Sequence, residues 1–400
     1  MGIFASLGEK FEQLYNNSRA KMSSFRTYFV GFLCSLFDFH ELQLNSFVFQ
    51  FFYYIILSVL GFLALKLSVL KATTIRLADL DLFFTAVSAS TVSSMSTVEM
   101  ELFSNTQLVI ITALMLMGGE IFTSMLRLNF VGSNFTQKIK SIESRVHDNP
   151  STSRNFPAKV ESGLVVHPQL KDEKPNSIVE DGDKSLSGEH LRNCSIKLLG
   201  HVVIRYIFVI QILGAGLIFL YVSLVPSAKE VLKNKGIQMQ IFSVFTAVST
   251  FSNCGFVPTN ENMKIFKKNS GLLLFLIPQV LLGNTLFAPA LRCVIWVLGK
   301  TTKRVEYGYM LNNSREIGYN YLLPSVHSFV MAIVVLVLIV FEFLFFCSME
   351  WNSEALYGLD GNEKFVASLF QVVNLRHTGE SVFDLSIVTP AVLVVFIVMM

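Results

Sequence analysis

Charge is what this sequence has least of. Asp, Glu, Lys and Arg make up only 15% of its 400 residues, against about a quarter in soluble globular domains, which argues against a soluble enzyme. The two signs nearly cancel, 32 Lys and Arg against 29 Asp and Glu for a net charge of +3, so no dominating basic field is present to hold nucleic acid. The five cysteines, Cys34, Cys194, Cys254, Cys293 and Cys347, are scattered and mostly set in apolar runs. They form neither a disulfide framework nor a zinc spacing and read as small buried hydrophobes. The histidines, His40, His147, His167, His190, His201, His327 and His377, are isolated from one another. With no Walker loop, dinucleotide glycine fingerprint or catalytic-triad spacing either, neither catalysis nor a resident cofactor is expected.

What fills the chain instead is apolar: 52% of residues are hydrophobic and 37 are Phe, more apolar surface than a soluble core hides. A run of about 20 apolar residues crosses the hydrocarbon layer of a membrane, about 30 Å thick. Five runs qualify, Ser46–Leu65, Gln107–Leu126, Val202–Val225, Gly271–Leu298 and His327–Cys347, and a sixth begins at Ile387. Tyr28–Phe37 is too short to span and suits an interfacial or packed segment. Lys10, Arg19, Lys21 and Arg26 precede the first span, which places the amino terminus in the cytoplasm. Counting crossings puts Lys138, Lys140 and Arg145, then Lys300, Lys303 and Arg304, on that same side, and leaves acidic Glu350, Glu354, Asp360 and Glu363 outside. Lys229, Lys233, Lys264, Lys267 and Lys268 run against this orientation. The sequons at Asn16, Asn134, Asn193 and Asn312 then fall on the cytoplasmic side and are expected to be unused. Gly2 and Ser6 match a myristoylation pattern from which a protein with five spans gains little.

Between Val131 and Lys197 the composition turns polar, and Pro150, Pro157, Pro168 and Pro175 interrupt any helix, so a linker or disordered cytoplasmic loop is expected. Three short apolar pieces, Leu82–Val92, Ile241–Phe251 and Val366–Val373, each follow a span and run into a polar turn. Segments this short at membrane depth suit re-entrant pore helices. The expected organisation is an all-α polytopic membrane protein with an N-terminal segment 1–45, a first span–pore–span unit 46–130, a linker 131–198, a second unit 199–299, a cytoplasmic loop 300–325 and a third unit 326–400.

The short pieces repeat. Phe84-Thr85-Ala86-Val87-Ser88 and Phe245-Thr246-Ala247-Val248-Ser249 are identical, and ten residues on from each Phe stand Ser94 and Gly255. A third, weaker copy starting at Leu369 reaches Gly379 at the same offset. An alkali cation entering a bilayer must trade its water shell for oxygens, and backbone carbonyls supply them without a trapping charge. The irregular backbone this demands favours glycine. The three turns are Val92-Ser93-Ser94-Met95-Ser96, Ser252-Asn253-Cys254-Gly255-Phe256 and Arg376-His377-Thr378-Gly379-Glu380. Ser94, Gly255 and Gly379 read as filter positions, against the plainer reading of a small loop residue and two turn glycines. Val92, Ser93, Asn253, Cys254, His377 and Thr378 flank them, with backbone carbonyls as the groups able to meet Na+ or K+.

These turns, and most of all Phe251-Ser252-Asn253-Cys254-Gly255-Phe256-Val257-Pro258-Thr259-Asn260, resemble the plant high-affinity potassium transporter (HKT) family, relatives of the bacterial Trk and Ktr cation transporters. The resemblance runs from about Ser46 to Met400 outside the linker. It implies four span–pore–span units around one cation pathway in the plasma membrane, and a serine at the first filter position, here Ser94, resembles the sodium-preferring class. The expected function is transport of sodium, with potassium less favoured, driven inward by a membrane potential worth about 2.3 kcal/mol per charge per 100 mV. Monovalent cations and lipid are the expected partners, with a homo-oligomer left open. Only three of the four implied units are present. A last helix from Ile387 to Met400 is about 21 Å long, short of a span, so a fragment or truncated product is expected. The rival reading is a regulatory or vestigial chain that does not transport and associates with full-length transporters.

Outside the filter positions, Arg376 and Glu380 either tune cation entry, brace the third turn through a hydrogen bond, or form a local structural pair. Glu120 lines the permeation path, snorkels or bonds to another helix. Arg205 and Arg292 suit interface anchoring. Gly118, Gly119 and Gly283 suit close helix approach, and Asn284 with Thr285 suits either a constriction below the filter or plain interhelical bonding.

Overall fold

The computed structural model describes residues 46–68, 77–129 and 178–399. Tyr28–Phe37, the myristoylation pattern, Asn16, Asn134 and the linker as far as residue 177 lie outside the described residues. The chain divides into two units, Met1–Tyr53 and Tyr54–Met400, and the second holds everything below. Among the described residues every regular element is helical.

Helix α1, Ser46–Leu67, runs through the boundary between the two units. In the second unit, α2 (Asp79–Ser90) is the first of the three helices expected to re-enter, termed re-entrant helices, followed by α3 (Asn105–Gly118) and α4 (Glu120–Asn129). The next repeat has α5 (Ile178–Leu224), a short α6 (Pro226–Lys235), the second re-entrant helix α7 (Met239–Phe251), then α8 (Ser270–Gly283) and α9 (Phe287–Thr302). Short α10 (Val305–Asn312) and α11 (Ser314–Ile317) lead to the third repeat: α12 (Ser325–Glu350), re-entrant α13 (Gly361–His377) and α14 (Pro390–Met399). Three helices are long and apolar enough to cross a membrane, or five if each bent pair counts as one span. The five expected spans correspond to these.

Several of the expectations change. The second and fourth spans are not straight: α3 and α4 meet at 56° and α8 and α9 at 82°. Gly119 takes an extended ψ of 141° at the first break, and at the second Pro289 cannot donate to the Thr285 carbonyl, so the helix does not run through. The expected linker ends earlier, because between Pro175 and Lys197 no proline remains and helix α5 begins at Ile178. Its 47 residues reach about 70 Å, far more than one span. The third re-entrant helix has 17 residues, double the apolar run Val366–Val373. Asp360 caps it through a reciprocal box with Glu363, a start signal that an apolar-run search passes over. Finally, of the four described cysteines only Cys254 is buried, and Cys293 is exposed.

The repeats are locked by backbone contact. A methyl group on Gly118 would lie 1.9 Å from the Ser90 carbonyl oxygen, and one on Gly283 would lie 2.1 Å from that of Phe251. Ser90 and Phe251 sit six residues past Phe84 and Phe245, so both glycines meet the same place in the repeat, the end of the re-entrant helix. A tyrosine of the preceding span holds each break: Tyr54 Oη donates to the Gly118 carbonyl (3.2 Å) and Tyr206 Oη to that of Leu282 (3.0 Å). Apolar packing fills the rest. Ile218, Phe242, Phe266, Leu276, Phe346 and Phe370 form one buried cluster, and Leu199, Val203, Phe251, Phe287 and Leu291 belong to another.

Gly118→Ala and Gly283→Ala are therefore expected to destabilise the protein by about 1–3 kcal/mol each, the usual range for overpacking. Gly216→Ala, where an added methyl meets nothing within 4 Å, should leave the melting temperature level or raised. Thermal unfolding of the three purified variants in detergent checks the order.

Candidate selectivity filter

Each re-entrant helix delivers its chain into a turn that adopts unusual backbone. Val92 and Asn253 have φ of 49° and 64°, and Ser94, Gly255 and Gly379 have 54°, 81° and 76°. In the register read from the sequence, Val92 matches Asn253, and Ser94 matches both glycines. The left-handed conformation thus recurs at the same repeat position in all three copies. The Ser93 N–H donates to the Ser88 carbonyl (3.0 Å) and the Cys254 N–H to that of Ser249 (2.9 Å), equivalent bonds closing equivalent turns.

The third turn departs from this pattern by one residue. Its closing bond runs from the Gly379 N–H to the Asn374 carbonyl (2.9 Å), because α13 continues through Arg376 and His377. Those two residues, expected in the turn, are the last of the helix.

The turns meet. A methyl group on Gly255 would lie 1.8 Å from the Thr378 carbonyl oxygen and 3.6 Å from the Ser94 Cβ, so Gly255 sits between the other two. The Cys254 thiol is buried and bonds to the Ser94 backbone. On the other side Thr250 Oγ1 lies 2.9 Å from Glu380 Oε1. Turn 2 is buried from Cys254 to Thr259, whereas Ser93 to Ser96 and Gly379 are exposed.

The flanking side chains brace this arrangement. His377 is buried, with Nδ1 2.6 Å from the Val373 carbonyl and Nε2 2.9 Å from the Thr285 hydroxyl. That geometry suits an Nδ1–H donating to the carbonyl and an Nε2 accepting from Thr285. Thr378 Oγ1 bonds to Asn374 Oδ1. Across the preceding junction, a methyl group on Gly119 would lie 3.3 Å from Ser252 Oγ. In both cases the broken span of one repeat touches the turn region of the next.

Arg376 and Glu380 do not form the expected local pair. Glu380 is fully buried and bonded to Thr250, and the Arg376 charge acts on His377 and Glu342. Asn284 stands at the break between α8 and α9. With Gly119, Glu120, Ser252, Asn253 and Gly283 it lines a cavity of about 30 Å³, room for one or two waters. Glu120 lines that cavity and accepts a hydrogen bond from the Tyr321 hydroxyl. Arg292 donates to the carbonyls of Leu323 (2.7 Å) and Leu311 (3.0 Å), pinning the loop that carries Tyr321.

Charged residues around the turns form a polar collar whose pairings the sequence did not single out. Lys235 lies 2.7 Å from both Glu101 and Glu261. Asn260 donates to Glu99 (2.7 Å) and, through its backbone N–H, to Glu101 (3.0 Å). Lys264 pairs with Asp384 at 3.1 Å. Hydrogen bonds donated to Glu101 and Glu261 hold the Lys235 ammonium above its usual pKa, and Lys235 holds Glu261 below the usual carboxylate range. Lys235, at the end of α6, and Lys264, beyond the second turn, thus balance Glu101 of the first repeat, Glu261 of their own and Asp384 of the third. The signal was present as acidic Glu99 and Glu101 ten residues beyond Ala89 and Thr91, but charge in a polar loop carries no register.

Gly255→Ala should lower thermal stability more than Gly379→Ala. Both replace a left-handed glycine, at about 1 kcal/mol, but only the first drives a methyl into the Thr378 carbonyl. Differential scanning fluorimetry of the two variants decides it, and equal losses would place Thr378 away from Gly255.

Comparison with known proteins gives this geometry a family. The model of the TrkH cation transport protein family matches residues 183–400, more than half of the chain. Sodium transporter HKT1 of Arabidopsis thaliana is 49% identical over 334 residues, 82% of this chain and 62% of the relative. Cation transporter HKT1;3 of Oryza sativa subsp. japonica is 44% identical over 87% of this chain and 64% of its own length. Probable cation transporter HKT1;4 of the same rice is 40% identical over 87% of this chain and 69% of its own length. The chain therefore spans just under two thirds of the length of the first two. On the family model and these identities, the chain belongs to the TrkH family of cation transport proteins, alongside the HKT transporters.

Proposed function

We propose that this chain serves the passage of sodium, with potassium less favoured, across the plasma membrane through a filter built from the backbone of the turns at Ser94, Gly255 and Gly379. The observation that carries the reading is the recurrence of left-handed backbone at these three register-matched positions, joined by the contact of Gly255 with Thr378 and Ser94. Backbone turned this way in series can direct carbonyl oxygens at an ion without placing a fixed charge beside it. The names of the relatives, sodium transporter and cation transporter, support the cargo.

The chemistry assigned to each residue follows from where it sits. Backbone carbonyls of the turns replace the water of a sodium or potassium ion. Val92, Ser93, Asn253, Cys254, His377 and Thr378 hold those carbonyls in place. Asn284 and Glu120 line the water-sized space beneath and present polar oxygens to a cation leaving the filter. Arg376 acts on the filter only through His377 and its neighbours. The amino terminus is cytoplasmic on the basic-residue count, and the collar of Lys235, Glu101 and Glu261 faces the opposite side.

Ser94 is the selective position. It holds a left-handed φ of 54°, which costs a serine about 1 kcal/mol more than a glycine, so a reason other than turn stability is needed for its presence. Its side chain narrows the path on the side where the other two positions carry only hydrogen. Ser94→Gly should shift the sodium-to-potassium preference toward potassium by about tenfold, the equivalent of one hydrogen bond. Two-electrode currents in sodium and then potassium baths measure it, and an unchanged ratio would remove Ser94 from the selective position.

A further inference from the structure

Directly behind the third turn, the chain buries a carboxyl group that makes no ion pair. Glu380 is 0% exposed, and none of the four salt bridges among the described residues includes it. Its Oε2 is buried without a hydrogen-bond partner. Its Oε1 lies 2.9 Å from Thr250 Oγ1, and that same oxygen lies 2.7 Å from the Thr246 carbonyl.

The hydrogens can be counted. A threonine hydroxyl carries one hydrogen and a carbonyl carries none. Three oxygens in a row, with two contacts at bonding distance, need two hydrogens, and only one belongs to Thr250. The second has one available source, the carboxyl group itself. Glu380 then donates to Thr250 Oγ1, which donates to the Thr246 carbonyl. Burial agrees with the count, because an ionised carboxylate held out of water with no cation and one empty oxygen is strongly disfavoured. Among the described residues, Glu380 acts on the buried thiol of Cys254 in turn 2, while the Arg376 charge acts on His377 and Glu342.

We infer that Glu380 is a protonated, uncharged positioning residue that ties filter turn 3 to the end of α7, so that the backbone and not a fixed negative charge discriminates between cations. The link runs from Thr246 and Thr250 on α7 to the residue directly after Gly379. Its backbone end is fastened as well, since the Glu380 N–H donates to Thr378 Oγ1 at 3.3 Å. The carbonyl of that same Thr378 abuts Gly255. One neutral bridge thereby sets the spacing of two turns. The consequence for ion selection rests on the filter reading above, whereas the protonation of Glu380 stands on the hydrogen count and on its burial.

The experiment has two arms on the full chain in lipid. Infrared difference spectra of wild type against Glu380→Gln at neutral pH should show loss of a protonated-acid carbonyl band, and loss of carboxylate bands in its place would overturn the inference. In sodium and potassium flux, Glu380→Gln and Thr250→Ser should keep the wild-type ratio within about twofold, while Glu380→Ala and Thr250→Val lower it about tenfold, the equivalent of one lost hydrogen bond. Glu380→Gln failing together with Glu380→Ala, or Glu380→Ala matching wild type, would contradict the positioning role. Absence of flux from wild type would count against the transport reading and leave the infrared arm to decide the protonation.

Discussion

Two backbone contacts hold up the rest of the molecule: the Ser90 carbonyl against Gly118 and the Phe251 carbonyl against Gly283. No side chain fits there, because even a methyl group would overlap the oxygen. Each contact presses the end of a re-entrant helix onto the point where the following span breaks. The break in turn frees backbone groups, and the tyrosines Tyr54 and Tyr206 meet two of the exposed carbonyls. In a low-dielectric surrounding such groups must find partners inside the protein. The point at which the first and second turns begin is therefore set by main chain against main chain.

From that platform the turns differ in how firmly they are held. Turn 2 is enclosed, with Gly255 between Ser94 and Thr378 and the Cys254 thiol tucked behind. Turn 3 is fastened through His377 to the Thr285 hydroxyl at the break of the preceding repeat and through Glu380 to α7. Turn 1 is exposed from Ser93 to Ser96 and keeps a serine in left-handed backbone. Cross-links run from each repeat to the next, at Gly119 with Ser252 and at Thr285 with His377.

Much of this was legible in the sequence because repetition carries register. The matched Phe-Thr-Ala-Val-Ser segments located two re-entrant helices to within a few residues, and the ten-residue offset reached positions that share the left-handed backbone. Apolar length located the spans but not their bends, since Gly118, Gly119 and Gly283 look like ordinary small residues until the oxygen they face is known. The third re-entrant helix was underestimated because its first turn, Gly361 to Lys364, is polar and an apolar window excludes it. The start of α5 was hidden for the same reason, in a segment whose charged residues suit a solvated helix as well as a loop. Contacts between repeats, such as Thr250 with Glu380 across 130 residues or Lys235 with Glu101, have no signature in one sequence, because nothing in a local pattern states what folds against it.

The central claim is that the turns at Ser94, Gly255 and Gly379 surround a cation with backbone oxygens. The most direct measurement is an experimental structure of the protein soaked in thallium or rubidium, with the ion located by its anomalous scattering. The account predicts density at the point where the three turns converge, facing carbonyl oxygens and with no carboxylate in contact. Density seated instead on Glu101 and Glu261 in the collar, with none between the turns, would contradict it.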